Sequence, residues 1–534
     1  MLLNVEKLRI EARGEEGWKP ILHGVDLQVA RGEVVGLIGE SGAGKSTLGL
    51  AALGFVQGGL RFAGGRVLFD GTDLLRLSER RRRALRGRRV AYVAQSAAAS
   101  FNPAWRLLDQ FCEGPAIHGT ATRAESEAFA QQLYAHMHLP DPDRFGLRFP
   151  HQVSGGQLQR AMVAMAMACK PDLIVFDEPT TALDVTTQIG VLAAIRQAVE
   201  ETGTAGIYIT HDLAVVAQMA DRIKVMRHGR EVEEAPTRRM IEAPAEDYTR
   251  SLWAVREFRR NAHRLPAASA ATIRVENVTA GYGSIDVLHD VSFDVPHGAT
   301  VAVVGESGSG KSTMARVITG LLPPRRGVIA LNGAPLPPRL EQRTREQKRA
   351  VQMIYQMADT ALNPRQTIRQ ILSRPLKFYL GLSGRSCEVR LCELMEQVEL
   401  DPALFLDRLP GELSGGQKQR IGIARALAAD PAFIICDEVT SALDQIVAEG
   451  ILRLLSRLQD ATGVSYMFIT HDIATVRAIA DQVVVMRGGR VMDYGTTAEA
   501  MDPPRNDYTR ELLRSVPQMD PDWLTRRIAE GVAS

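Results

Sequence analysis

Two nearly identical nine-residue runs carry the first chemistry of this chain. Gly39-Glu40-Ser41-Gly42-Ala43-Gly44-Lys45-Ser46-Thr47 returns as Gly305-Glu306-Ser307-Gly308-Ser309-Gly310-Lys311-Ser312-Thr313. Glycines at this spacing open backbone conformations closed to residues with a Cβ, so successive N–H groups can converge on a phosphate. A helix starting there adds the positive end of its dipole. Lys45 and Lys311 place a cation on the β- and γ-phosphates of a nucleotide, and the Ser46 and Ser312 hydroxyls can ligate Mg²⁺. One such run could be a chance glycine turn. Two, each between an apolar run and a helical pattern, are phosphate loops.

Two acidic pairs follow downstream, Asp177-Glu178 and Asp437-Glu438. Alone, such a pair is usually a solvated turn. Each ends a buried-strand pattern, however, and each lies beyond a phosphate loop. Asp177 and Asp437 would then hold Mg²⁺ through water, and Glu178 and Glu438 would orient or deprotonate an attacking water. A third repeated element is Ser154-Gly155-Gly156-Gln157, returning as Ser414-Gly415-Gly416-Gln417. Locally it reads as a helix N-cap; its glycines equally allow amides to approach a second anion.

The elements that must position these groups repeat with them. Thr210-His211-Asp212 returns as Thr470-His471-Asp472, and Asp247-Tyr-Thr-Arg250 as Asp507-Tyr-Thr-Arg510. The landmarks from Ser154 onward return at one constant offset, as a duplicated domain requires; the phosphate loops are a few residues further apart, the kind of difference surface loops absorb. Val34–Ile38 and Val301–Val304 run into the phosphate loops. Leu173–Phe176 and Phe433–Cys436 end in the acidic pairs, and Gly206–Ile209 and Tyr466–Ile469 end before Thr-His-Asp. Apolar strands without alternation predict an α/β fold with a sheet covered on both faces and ligands at the strand C-termini. The expected organisation is a first domain over 1–255 with a tail at about 236–255, a linker over 256–272, and a second domain over 273–534 with a tail at about 496–534.

Composition excludes several classes. The 534 residues are 45% hydrophobic and 24% charged, with a formal net charge of only +2, so nothing draws the whole chain to nucleic acid. Five scattered cysteines form no CxxC pair, which suits a reducing compartment. The N-terminus lacks the apolar core of a signal peptide, and no run is long and apolar enough to span a bilayer. The arginines at Arg80–Arg83, Arg86, Arg88 and Arg89 read as a solvated helix, matched by the mixed-charge stretch Arg339–Arg349 in the second copy.

Together these residues resemble the nucleotide-binding subunits of ABC transporters, over nearly the whole chain and twice. The diagnostic part is the Ser-Gly-Gly-Gln signature ahead of the Asp-Glu pair. The resemblance implies two tandem ABC-type P-loop NTPase domains, each with a RecA-like core, an antiparallel β-subdomain and a helical signature subdomain. It implies ATP hydrolysis with Mg²⁺, and a signature from one copy closing over ATP held by the other. It assigns Gln95 and Gln356 to the loop that contacts Mg²⁺ and faces the membrane subunits. His211 and His471 take the switch position that touches the γ-phosphate, Asp184 and Asp444 fall in the loop linking the two sites, and Tyr282 is the adenine-stacking aromatic. The first copy offers only Trp18 there. Val439, standing where the first copy has Pro179, is expected to loosen the second acidic turn. Both copies keep every catalytic residue type, so two competent sites are expected.

Ser100-Phe-Asn-Pro103, Ala361-Leu-Asn-Pro364 and the two Asp-Tyr-Thr-Arg tails are similar to elements of oligopeptide and dipeptide importers, although the tails replace the usual His-Pro and could instead be plain amphipathic helices. This implies import of peptides or related solutes through two transmembrane permease subunits, with a periplasmic or extracellular solute-binding protein, at the cytoplasmic face of the bacterial inner membrane and without nucleic acid. Some relatives carry an iron–sulfur cysteine cluster after the tail; no such cysteines follow here, and no cluster is expected. Alternatives are another cargo (nickel, glutathione, an opine), a soluble tandem ATPase acting on ribosomes or nucleic acid, and an ATP-binding scaffold without turnover.

Overall fold

The computed structural model describes residues 1–14, 17–180, 183–254, 270–441 and 443–530. Its contacts divide the chain into two compact units, Met1–Ala254 with Ser515–Ser534, and Val255–Arg514. Of the linker expected at 256–272, residues 256–269 lie outside the described residues, and Ala271 and Thr272 already belong to the strand Ala271–Tyr282.

Each unit is built on a six-stranded sheet. In the first the order is Arg230–Pro236, Arg222–Arg227, Val34–Ile38, Ala205–Ile209, Leu173–Asp177, Val90–Val93. All neighbours are parallel except the edge strand Arg230–Pro236. The second unit repeats it as Arg490–Thr496, Gln482–Arg487, Thr300–Val304, Ser465–Ile469, Phe433–Asp437, Val351–Ile354. The central strands are apolar throughout because alternate residues enter different cores. Leu173 and Val175 join a core with Val35, Leu37, Ile207 and Ile209; Ile174 and Phe176 join the core on the opposite face.

The first of those cores is closed by a four-stranded antiparallel sheet, built on Leu3–Gly14, Gly17–Val29 and Leu60–Phe69, whose Leu3, Val5, Leu8 and Ile10 point inward. The second copy uses Ala271–Tyr282, Ile285–Pro296 and Arg326–Leu331. The pairing Ala12↔Lys19 corresponds to Tyr282↔Ile285, and the first hairpin then runs two pairs further, to Gly14↔Gly17.

The other core carries the helices Leu107–His118, Arg123–His136 and Gly155–Ala166, pinned by edge-to-face contacts of Phe111, Tyr134 and Phe145. Its counterpart, Ile368–Leu380, Gly384–Gln397 and Gly415–Leu427, packs with aliphatics such as Leu372, Leu376, Leu391 and Leu394. Ser154 and Ser414 cap the last helix of each set, and Gln157 and Gln417 reach back to complete the box.

The tail expected at 496–534 as part of the second domain is divided in the structure. Residues up to Arg514 stay with the second unit, whereas Ser515–Ser534 group with the first. The reason is apolar burial around one buried amide. Trp523 and Leu524, on the helix Trp523–Ala529, enter the first unit's core, against the helix Val185–Thr202. Gln218 Nε2 donates to the carbonyls of Gln518 (2.7 Å) and Asp520 (2.6 Å), and its Oε1 accepts from the Leu524 N–H (2.9 Å). Arg238 adds a contact to both Asp522 oxygens. Truncating a buried tryptophan costs about 3–5 kcal/mol. Trp523→Ala is therefore expected to release this segment, read as faster amide exchange over 515–530; exchange as slow as in the unmodified chain would contradict the packing.

Candidate functional site

The phosphate loops sit where the strands Val34–Ile38 and Thr300–Val304 end. Gly39 and Gly305 adopt φ of 142° and 149°, and a Cβ there would lie 2.0 Å from the Met226 carbonyl oxygen or 2.1 Å from that of Met486. Only glycine fits so close to a neighbouring strand. The helices Lys45–Ala52 and Lys311–Thr319 then begin at Gly44 and Gly310, both left-handed, and no side chain caps either helix. A helix start without a side-chain cap can take an anion on its N–H groups.

Lys45 is buried, and its Nζ donates to the carbonyls of Gly39 (2.7 Å) and Glu40 (2.8 Å). Lys311 repeats this on Gly305 and Glu306, at 2.8 Å each. Ser46 Oγ lies 3.0 Å from Asp177 Oδ1, and Ser312 Oγ 3.3 Å from Asp437 Oδ1. Glu178 and Glu438 follow in left-handed backbone, φ 49° and 48°. That conformation costs a non-glycine residue about 1–3 kcal/mol. It is held by N–H bonds to the Ile209 and Ile469 carbonyls, 2.9 Å each. Glu438 keeps the left-handed φ and the backbone bond of Glu178, and Val439, in place of Pro179, is buried.

Each glutamate is gripped from two sides. Gln95 Nε2 donates to Glu178 Oε2 (3.0 Å), and His211 Nδ1 stands 3.1 Å from Glu178 Oε1. In the second unit Gln356 Nε2 donates to Glu438 Oε2 (2.6 Å), and His471 Nδ1 is 3.5 Å from Glu438 Oε1. Thus each unit gathers its lysine, serine, aspartate, glutamate, glutamine and histidine at the C-terminal edge of its parallel strands.

Burial pushes the Asp177 carboxyl up, against the pull of its hydrogen bonds from Tyr92 and Ser46, and pushes Asp437 up with help from Glu438. Hard oxygen donors brought together this way suit a divalent cation that arrives with phosphate oxygens. Among the described residues no cluster of three or more His, Cys, Asp or Glu could hold a metal ion by itself.

The histidines are raised. Desolvation opposes the imidazolium, but the hydrogen bond and charge of the facing glutamate, with Asp212 or Asp472 behind, outweigh it and the repulsion of Lys45 or Lys311. Glu438 is lowered; burial opposes its charge, and His471, Lys311 and Gln356 outweigh burial. A raised histidine contributes stability fully below its unfolded value of 6.5, lost as pH rises through the folded value. A lowered glutamate contributes above 4.5, lost as pH falls through the folded value. The stabilisation of the nucleotide-free protein by His471 is therefore expected to peak between those two values. The thermal midpoint difference between the unmodified chain and His471→Gln, followed against pH, checks this; a difference that grows above pH 8 contradicts it.

Sequence reasoning missed Tyr92, whose hydroxyl donates to Asp177 Oδ2 at 2.7 Å. The strand Val351–Ile354 has Met353 at the matching register, so comparing the copies hides it. Tyr282 is half-exposed at the end of its strand, and its hydroxyl accepts from Arg316 Nη1 (2.9 Å). By register the first copy has Ala12 there. Trp18 lies on the neighbouring strand with the Arg61 guanidinium 4.2 Å from its ring centre. Asp184 and Asp444 cap the helices Val185–Thr202 and Gln445–Thr462.

Comparison with known proteins gives the family. The family described as ABC transporter matches residues 22–181 and 288–441, and the oligopeptide/dipeptide transporter C-terminal region matches 492–534. The chain is 35% identical to the glutathione import ATP-binding protein GsiA of Escherichia coli (strain K12), over 97% of this chain and 90% of that protein; the protein of the same name from Salmonella typhimurium gives the same figures. An archaeal ribosome recycling factor, solved with a ribosomal stalk protein, aligns over 92% of this chain and 91% of its own at a TM-score of 0.63 and 20% identity, a likeness of fold alone. The chain belongs to the ABC transporter family. It is an ATPase with two nucleotide-binding domains of that family fused in one polypeptide.

Proposed function

We propose that this chain hydrolyses MgATP in both copies to drive import of a peptide-like solute, glutathione included, through separate membrane permeases. The observation that carries the catalytic part is the duplicated constellation: a lysine on the loop carbonyls, a serine on the aspartate, and a glutamine and histidine on the glutamate, in each unit.

ATP is the substrate. Lys45 and Lys311, held on the loop carbonyls, bring their ammonium charge to the β- and γ-phosphates, while backbone N–H groups of each loop and helix start bind the phosphate oxygens. Ser46, Asp177 and Gln95, and Ser312, Asp437 and Gln356, would hold Mg²⁺, whose charge offsets that of the phosphates. Glu178 and Glu438 orient the attacking water and take its proton. His211 and His471, already on those glutamates, hold the carboxylate and reach toward the γ-phosphate. The signature segments Ser154–Gln157 and Ser414–Gln417 are exposed helix starts with glycines in the first turn, suited to a further phosphate contact. Tyr282 supplies an exposed ring for adenine.

The cargo reading is supported by the match at 492–534 and by the name of the similar import proteins. No helix among the described residues is long and apolar enough to cross a membrane, so transport needs other chains. Two permease subunits, a solute-binding protein and a peripheral position at the cytoplasmic face of the bacterial inner membrane complete the proposal. On the first helical subdomain, Trp105 and Ile117 are exposed beside a depression of about 670 Å³ also lined by Cys112 and Phe149, an apolar seat for a permease helix. The test is uptake of labelled glutathione and of a dipeptide by vesicles reconstituted with the chain, its permease subunits and its solute-binding protein. ATP-dependent accumulation that stops with Glu178→Gln/Glu438→Gln is expected; ATP hydrolysis with no accumulation of either solute would reject the cargo.

A further inference from the structure

The repeated Asp-Tyr-Thr-Arg elements have no part in the chemistry described so far, yet each reaches a phosphate loop. Tyr248 lies on the helix Asp247–Ala254, and its hydroxyl oxygen accepts from the Glu40 N–H at 3.2 Å. Tyr508, on the helix Asp507–Arg514, accepts from the Glu306 N–H at 3.1 Å. The peptide between Gly39 and Glu40 is therefore held at both edges. Its carbonyl takes the Lys45 ammonium, and its N–H takes the tyrosine. The Gly305–Glu306 peptide is held the same way by Lys311 and Tyr508.

An arginine completes each arrangement. Arg227, the last residue of its strand, stands with its guanidinium 4.5 Å from the Tyr248 ring centre and its Nε 3.7 Å from Glu40 Oε1. Arg487 does the same to Tyr508 at 4.5 Å and to Glu306 at 3.8 Å. The stacked cation fixes the ring, and the ring's oxygen fixes the peptide. A peptide that follows a glycine has little steric resistance to rotation, so its orientation depends on what grips it. If it rotates, the carbonyl that receives the lysine turns away, and the cation is no longer placed for phosphate.

We propose that Tyr248 and Tyr508 are positioning residues for the two phosphate loops, through which the C-terminal element of each copy sets the ATP affinity of its own site. This rests on the ATPase reading above. The arrangement arises twice in one chain, around tails that otherwise differ in sequence, Ala243-Pro-Ala-Glu246 against Pro503-Pro-Arg-Asn506. A helix needing only an anchor could use the ring alone; the use of the hydroxyl on the same peptide in both units points to the loop.

The test uses the full chain carrying Tyr248→Phe and Tyr508→Phe, which keep the ring and the arginine stack and remove only the oxygen. One neutral hydrogen bond is worth about 0.5–1.5 kcal/mol, a factor of roughly 2–13 in affinity. The double variant is expected to raise the KM and Kd for ATP about 3- to 10-fold, with kcat within about twofold and a thermal midpoint without nucleotide lowered by no more than about 3 °C. ATP affinity equal to that of the unmodified chain would overturn the inference. So would a KM rise accompanied by a midpoint drop of several degrees, which would make the tyrosines structural. Lys45→Ala/Lys311→Ala, assayed in parallel, separates the two claims: if it too binds ATP normally the ATPase reading fails, and if it alone loses ATP only the tyrosine inference fails.

Discussion

Glu178→Gln combined with Glu438→Gln is expected to lower steady-state ATP turnover by about 10²–10⁴-fold while ATP remains bound. Glutamine has the shape of glutamate, so the contacts from Gln95 and Gln356 can persist. What disappears is the negative charge that accepts a proton from water and holds the histidine. Both carboxylates sit in strained left-handed turns fixed by a backbone hydrogen bond, so the backbone has no reason to move. The effect is on kcat, because the group acts on the nucleophile rather than on bound phosphate. ATPase activity within twofold of the unmodified chain would remove Glu178 and Glu438 from the reaction.

Lys45→Ala with Lys311→Ala is expected to abolish turnover through binding. A hydrogen bond to a charged group is worth about 1.5–3 kcal/mol, and each lysine is positioned to give one or more to the phosphates. A loss of at least about 10- to 150-fold in ATP affinity follows for each site. The change also strips the donor from the Gly39, Glu40, Gly305 and Glu306 carbonyls. The loops are therefore expected to loosen even without nucleotide. Separate variants distinguish the copies: each should eliminate binding at its own site and spare the other. Equilibrium titration with ATP and Mg²⁺ reads both; unchanged affinity in the double variant would refute the role.

Much of this was legible in the sequence because duplication and apolar runs signal together. Strands buried on both faces leave no polar alternation, and that continuity marked Leu173–Phe176 and Phe433–Cys436 as buried strands. The glycines, lysines and serines of the phosphate loops were legible because backbone geometry restricts their type. Gln95 and His211 came only through family resemblance. Nothing local distinguishes them until the fold brings Val93, Asp177 and Ile209 to one edge of the sheet.

Contacts between distant segments were not legible. Tyr92 has no counterpart in the second copy, so repetition could not reveal its bond to Asp177. Tyr248 and Tyr508 were visible as repeated residues, but their partners lie far back in the chain at Glu40 and Glu306. The last segment carried no signal of its destination. Trp523 and Leu524 form a short apolar pair, and the buried Gln218 that receives them is three hundred residues earlier. Val439 in place of Pro179 leaves Glu438 in the same left-handed backbone, with the same bond to a strand carbonyl, as Glu178 in the first copy.

The most direct measurement is the number of ATP molecules held per chain by the full-length Glu178→Gln/Glu438→Gln variant with Mg²⁺, counted by equilibrium binding before and after adding Lys45→Ala or Lys311→Ala. Two working sites give two ATP per chain, falling to one with either lysine removed. Binding of one or none in the starting variant, or two despite a missing lysine, would contradict a pair of phosphate loops that each hold substrate for hydrolysis.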